Sequence, residues 1–201
     1  MLLKGTGQSI AILAIVGVFY MLDAMMFVRY DRQRRQKGTG KAWGYTCLML
    51  LLASALIVQP ILLPQISLSI RSCWGAVLQI GGLVLALSGL SLHMWSRAHL
   101  QHFYTERVEY QVGHAVVDTG PYAVVRHPTF TSFMMIAAGV FLVNPALPTL
   151  LTAAYAFWDF PRAAKQEEAL LSARLPEYAD YMARTSRFIP RPHLKRGGKA
   201  R

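Results

Sequence analysis

From Ser9 to Val28 the chain carries a single charged side chain, Asp23, and a stretch so long and apolar has few ways to fold. About 20 residues of α-helix reach roughly 30 Å, the thickness of the hydrocarbon core of a bilayer. In that medium a segment has to satisfy its backbone hydrogen bonds internally, and a helix does so. Similar runs follow from Ala42 to Leu63 and from Cys73 to Leu92. Two shorter ones, Thr129 to Val143 and Leu147 to Phe160, are separated by Asn144-Pro145. With 54% hydrophobic and 15% charged residues, the chain is too apolar for an ordinary soluble domain. The expected fold class is an all-α integral membrane protein of about five transmembrane helices.

Charge distribution orients those helices. The formal net charge is +11, and thirteen of the 21 Lys and Arg fall in residues 29–41 and 184–201. Basic clusters beside apolar runs mark cytoplasmic segments attracted to anionic lipid and do not point to nucleic acid. The link between the second and third runs carries only Arg71 and is therefore expected outside. The first run is longer than a signal-peptide core, lacks an A-x-A cleavage site and has its positive charge after it, so it is expected to be retained. Asp23 reads as an interfacial carboxylate. Gly75, Gly81, Gly82, Ser88, Gly89 and Ser91 make the third run the candidate for the closest helix packing. Its end, His93-Met94-Trp95-Ser96-Arg97, reads as a cytoplasmic interface. Cys47 and Cys73 lie within apolar runs and are expected to pack.

The longest polar segment between runs spans residues 94–128, and chemistry concentrates at its end, in HAVVDTGPYAVVRHPTFTS from His114 to Ser132. It offers a Gly120-Pro121 turn, the Tyr122 phenol, the imidazoles of His114 and His127, the Arg126 guanidinium and a helix-starting Pro128. Residue spacing alone also fits a membrane-surface connector whose Arg and His meet lipid phosphate. His99 and His102 are three apart, but no further Cys, His or carboxylate set completes a metal site, and no metal is expected.

The order His114, Gly120-Pro121-Tyr122, Arg126-His127-Pro128 resembles the signature of the isoprenylcysteine carboxyl methyltransferase and phospholipid methyltransferase superfamily. Its members are integral membrane enzymes that use S-adenosylmethionine. Phe130 and Ser132 stand where that family usually has tyrosine and glycine, and Leu100-Gln101 where it tends to have Leu-Gly. In the charged segment after Arg162, the family's Glu-Glu pair falls on Gln166-Glu167 or on Glu167-Glu168, and Leu175-Pro176 stands near its Phe-Gly. Tyr178, Tyr181, Arg187 and Pro190 match its ending. The resemblance implies N-terminal transmembrane helices over 1–93, a methyltransferase core with a cytoplasmic catalytic region over 94–190, and a basic tail over 191–201.

It further implies a cofactor site built from His114, Gly120, Pro121, Tyr122, Arg126, His127, Pro128, Glu167 and Glu168, with Arg162, Glu167 and His127 as the catalytic set. Arg126, His114 or His127 suit the cofactor's carboxylate, either glutamate suits positive charge, and Tyr122 suits packing or hydrogen bonding to the adenosine. No G-x-G-x-x-G follows a strand, so a soluble dinucleotide-type site is not expected. The expected reaction is methyl transfer to a lipophilic acceptor, a prenylcysteine-like carboxylate or a lipid amine, at the cytoplasmic face. The membrane would be the cytoplasmic membrane in a prokaryote or the endoplasmic reticulum in a eukaryote. Membrane sterol reductases resemble the superfamily in their C-terminal region, so an NADPH-dependent reductase is one alternative; a non-catalytic scaffold or transporter is another.

Overall fold

The computed structural model describes residues 1–26, 28–29, 43–68, 73–101 and 116–190. His102, His114, Arg71, most of the basic segment at 29–41 and the tail at 191–201 lie outside the described residues. Among the described residues, six α-helices follow in order: α1 (Thr6–Met26), α2 (Trp43–Leu62), α3 (Cys73–Leu100), α4 (Pro128–Val143), α5 (Leu147–Arg174) and α6 (Tyr178–Arg184). Among the described residues β-pairing is confined to two isolated bridges, Ser67 with Ala146 and Val125 with Ser186. Of these helices, α1 and α3 are long and apolar enough to cross a membrane, while Pro128–Val143 is a shorter apolar helix.

The closest packing in the bundle is between α3 and α4, and it depends on missing side chains. A Cβ on Gly82 would lie 2.7 Å from the Gly139 carbonyl oxygen, and one on Gly89 would lie 2.9 Å from that of Ser132. Gly139 in turn meets Ala86. Helices whose backbones approach this closely gain dispersion contacts that lipid chains cannot match. Gly81, one residue from the seam, has open space around it, so the sequence-level expectation of close packing holds for one face of α3 only.

At the end of the bundle where the chain begins, polar side chains join the helices. Asn144, fully buried, donates from Nδ2 to Gln59 Oε1 at 2.7 Å and accepts from the Ser67 hydroxyl at 2.9 Å. Gln79 donates to the carbonyls of Leu3 and Val143 and accepts from the Leu3 amide. Gln8 also reaches Val143 O, and the Thr149 hydroxyl donates to Asn144 O at 2.6 Å. Each buried polar group made here would be costly if left unmade. Asn144-Pro145 is therefore more than a turn signal: its side chain links α2, the Ser67 segment and the α4–α5 corner.

The outward surface is apolar. Trp74, Val77, Ile80, Val84 and Leu87 of α3 are all more than half exposed, and Leu147, Leu151, Phe157 and Trp158 of α5 likewise. A contiguous apolar exterior of this kind is what lipid solvates and water does not.

The helices depart from the sequence boundaries in two places. First, α3 runs on to Leu100, carrying His93 and Arg97 into the interior where an exposed interface was expected. Asp23 of α1 meets both, with Oδ1 at 3.7 Å from His93 Nε2 and 3.6 Å from Arg97 Nε. The carboxylate thus compensates a buried guanidinium, which is the reason these residues turn inward. Second, the apolar run from Leu147 and the charged segment after Arg162 form one uninterrupted helix. Pro161 lies inside it and removes one amide from the helical ladder.

The glycine seam gives a paired test. Gly82→Ala should lower the thermal stability of the detergent-solubilised protein by about 1–3 kcal/mol, the range for overpacking. Gly81→Ala, with nothing to strike, should be neutral or stabilise by up to about 1 kcal/mol through helix propensity.

Candidate functional site

At the opposite end of the bundle the chain enters α4 through a short 3-10 turn, Gly120–Ala123. Gly120 has φ +57°, a left-handed conformation that costs glycine little. Pro121 follows, fully buried, and Tyr122 is buried with its hydroxyl 3.1 Å from Thr129 Oγ1. Pro128 occupies the first turn of α4, where its missing amide proton is no loss. Between turn and helix, Arg126 and His127 are held by backbone pairing to the C-terminal segment: Arg126 N donates to Ser186 O at 2.7 Å and His127 N to Arg187 O at 3.1 Å.

Glu168 of α5 is the centre of this region. Its carboxylate, on a residue 6% exposed, accepts from Arg126 Nε at 2.9 Å and from Arg187 Nε at 3.0 and 3.1 Å and Nη2 at 2.5 Å. His127 Nε2 lies 3.2 Å from Oε1. Arg126 Nη1 donates further to the carbonyls of Met182 and Thr185. One carboxylate thus joins α5, the residues before α4 and the segment after α6.

The charges of this cluster reinforce one another. Burial alone would raise the Glu168 pKa, but hydrogen bonds from His127, Arg187 and Arg126 reverse that and hold the carboxyl far below the usual range. For His127, burial opposes the charged ring, yet Glu167 and Glu168, flanking its two nitrogens, outweigh burial and raise its pKa. Burial pushes the Tyr181 phenol upward, and its neutral O–H donates to the Tyr122 carbonyl at 2.8 Å.

The structure sorts the residues expected from sequence. Arg126, His127 and Glu168 come together, with Glu167 beside them, half-buried, its Oε2 3.5 Å from His127 Nδ1. Both glutamates of the Glu167-Glu168 register therefore face His127. Gly120, Pro121 and Tyr122 form the turn that precedes Arg126, and Pro128 opens the helix that follows His127. Arg162 stands apart, exposed, with its guanidinium carbon 4.3 Å from the ring centroid of Trp158. His114 lies outside the described residues. Arg187 was legible only as part of a matched ending; that it shares the Glu168 carboxylate is a tertiary fact.

An aromatic column leads inward from the cluster. Phe130 stacks on His127 at 5.5 Å between ring centroids and on Phe160 at 5.4 Å. Phe133 continues from Phe160 at 5.5 Å to His93 at 5.1 Å. Ser132 is fully buried with its hydroxyl donating to Thr129 O at 2.6 Å, and its backbone is approached by Gly89, which leaves the room a glycine at 132 would otherwise supply. Gln101 adopts φ +48°, a left-handed conformation at the position where the resembled family tends to have glycine.

Comparison with known proteins bears on the fold and on the sequence around this cluster. Residues 82–173 match the family model described as isoprenylcysteine carboxyl methyltransferase. Over that segment, a little under half of its length, the chain is similar to that family. A solved structure of the eukaryotic intramembrane Ras methyltransferase of that name superposes with a TM-score of 0.59, covering 90% of this chain and 67% of the other at 19% identity. The fold is thus shared. Two bacterial proteins are similar in sequence: the cobalt-zinc-cadmium resistance protein CzcN of Cupriavidus metallidurans, 29% identical over 57% of this chain, and the nickel-cobalt-cadmium resistance protein NccN of Alcaligenes xylosoxydans xylosoxydans, 36% identical over 40%. These matches span 52% and 38% of the relatives' own lengths.

The two shifted groups make stability depend on pH in opposite senses. Glu168, depressed, stabilises the fold above its unfolded pKa and loses that contribution as pH falls; His127, raised, stabilises below its unfolded pKa and loses it as pH rises through the folded value. Their joint contribution should be largest from about pH 4.5 to 6.5, between the unfolded carboxyl and imidazole values. Glu168→Gln should flatten the acid side of a thermal-unfolding profile and cost about 3–5 kcal/mol at neutral pH, because it leaves buried cations unpaired.

Proposed function

We propose that the chain transfers a methyl group from S-adenosylmethionine to a lipophilic acceptor at the cytoplasmic face of a membrane. The observation that carries the reading is the Arg126–His127–Glu168–Arg187 cluster, seated where apolar helices end, in a chain whose residues 82–173 match a methyltransferase family. That match favours methyl transfer over the reductase reading.

The residues present fit such a cofactor. It is a zwitterion with an added sulfonium, and the site offers Glu167, a carboxylate beside the His127 ring and partly open to solvent, next to the guanidinium groups of Arg126 and Arg187. Tyr122, Gly120 and Pro121 would form the wall on the α4 side, with His114 in the adjoining sequence. When bound, the cofactor supplies a methyl group on a positively charged sulfur. The protein's tasks are alignment and exclusion of water, since the reaction disperses charge. Glu168 is fully engaged in holding Arg126, His127 and Arg187 and acts by positioning them. Glu167, beside His127 and partly open to solvent, is placed to take the proton of an acceptor that must lose one. A carboxylate acceptor would need no base. Arg162, exposed beside Trp158 at the start of the charged half of α5, suits an anionic acceptor group.

Five helices, α1 to α5, would cross the bilayer with the N-terminus outside. At 16 residues α4 reaches about 24 Å, short of the roughly 30 Å core, so local thinning or tilt of its neighbours would accompany it. The cofactor would enter from the cytoplasm and the acceptor from the bilayer, through the gap between short apolar arms. Each buried CH₂ of the acceptor would then contribute about 0.8 kcal/mol to binding.

The decisive experiment has two parts. Calorimetry on the detergent-solubilised chain should show S-adenosylmethionine binding, and lipid mass spectrometry of expressing cells should show products one methylene heavier than their precursors. Glu167→Gln should bind with lower affinity and turn over more slowly in a protein whose melting temperature is unchanged. No cofactor binding by the unaltered chain would overturn the proposal and favour a scaffold.

A further inference from the structure

The outward face of α5 changes character within two helical turns. Leu147, Leu151, Tyr155 and Trp158 are exposed apolar and aromatic side chains, and Arg162 and Lys165, also exposed, follow them. At 3.6 residues per turn these six positions fall within about 80° of arc, on one side of the helix. Neither cation has an acidic partner among the described residues. Asp159, three residues before Arg162, forms no ion pair with it, and the Arg162 guanidinium lies 4.3 Å from the centroid of the Trp158 ring.

That contact sets the depth of the charge. Trp158 is four residues back, toward the end of α5 that faces away from the candidate site, so the guanidinium folds over the apolar stretch and does not reach beyond it. From Leu147 to Arg162 the helix rises about 22 Å, against roughly 30 Å of hydrocarbon. With Leu147 at one boundary, Arg162 stands about 8 Å short of the other, and any tilt deepens it. A cation facing lipid at that level is costly unless an anion is brought to it. The indole offsets part of the cost. A phosphate drawn inward supplies the counter-charge, since the guanidinium fork takes two of its oxygens. Lys165, one turn nearer the headgroups, adds a second cation, which favours a net-negative headgroup over a zwitterionic one.

We infer that this face of α5 docks an anionic phospholipid of the bilayer, with its phosphate on Arg162 and Lys165 and its chains along Trp158, Tyr155 and Leu151. The headgroup is drawn inward there, and the bilayer thins beside the candidate site. The inference rests on α5 crossing the bilayer, as proposed above, and not on the reaction. Around the helix Arg162 and Glu167 are about 140° apart, so this lipid stands outside the Glu168 cluster. An anionic acceptor arriving from the bilayer would reach Arg162 by exchanging with it.

The test uses the full chain in bilayer nanodiscs, with Trp43→Phe, Trp74→Phe and Trp95→Phe so that Trp158 alone reports. Quenching by dibrominated phosphatidylglycerol, set against dibrominated phosphatidylcholine, reads which lipid lies on that indole. The anionic lipid should be enriched about 25-fold there, about fivefold for each cation. Arg162→Gln or Lys165→Gln should each leave about fivefold, at an unchanged melting temperature. Enrichment should also be greater in bilayers of about 14-carbon chains than of about 22-carbon chains, where the headgroup has further to move. If the triple tryptophan variant does not fold, native mass spectrometry of the otherwise unaltered chain gives the second readout: joint replacement of Arg162 and Lys165 by Gln should remove one retained phosphatidylglycerol. Equal quenching by the two lipids would overturn the inference, as would enrichment that survives the joint replacement. Equal enrichment in thin and thick bilayers would overturn the inward displacement. Absence of quenching by either lipid would instead overturn the crossing of the bilayer by α5, on which the inference rests.

Discussion

A buried carboxylate cannot remain ionised without partners, and the end of the bundle that carries the candidate site is arranged around that constraint at Glu168. Its oxygens are shared by Arg126, Arg187 and His127, which come from two segments far apart in the chain. Coulomb attraction in a site of reduced dielectric more than offsets the burial of the group, and the net effect is a strongly depressed pKa. The loop before α4 packs Val116 against the cluster of Leu171, Leu175, Tyr178 and Tyr181. This set of charge-assisted bonds ties that loop and the strap after α6 to α5, supplemented by the short run of backbone pairing from Val125 to His127.

The bundle that carries the cluster is held by different physics at each level. At one end, Gln8, Gln59, Gln79, Asn144 and Thr149 satisfy one another and nearby carbonyls. Through the middle, Gly82, Ala86 and Gly89 let α3 lie against Gly139 and Ser132 of α4. Toward the site, Asp23 compensates Arg97, and rings from Phe19 to Phe160 fill the space between α1, α4 and α5. Hydrophobic burial is a weak organiser where the surroundings are as apolar as the core. Close packing and polar satisfaction take its place.

The departures from the family pattern become intelligible in this setting. Phe130 gives up a hydroxyl but keeps a planar face between His127 and Phe160. Ser132 fits because its hydroxyl returns to its own helix and Gly89 yields the room. Gln101 retains the left-handed turn that glycine would take more cheaply, at a cost of about 1–2 kcal/mol.

Sequence alone determined the helical class, because apolar runs of bilayer length admit little else, and it marked out a candidate site, because Gly-Pro-Tyr and Arg-His-Pro at that spacing stand out against their surroundings. It also determined the candidate status of Arg126, His127 and the glutamates. It did not decide which glutamate would be central: Glu167 and Glu168 are adjacent and chemically alike, and only the rotation of α5 about its axis turns one inward and leaves the other half-open. Nor could it show that Arg187 would share Glu168, that His93 and Arg97 would be drawn inside by Asp23, or that His99 would face Gly120. Each of these is a pairing between residues distant in the chain. Composition and periodicity report the environment a residue prefers, whereas the partner that satisfies its charge or its hydrogen bond is fixed only when helices meet.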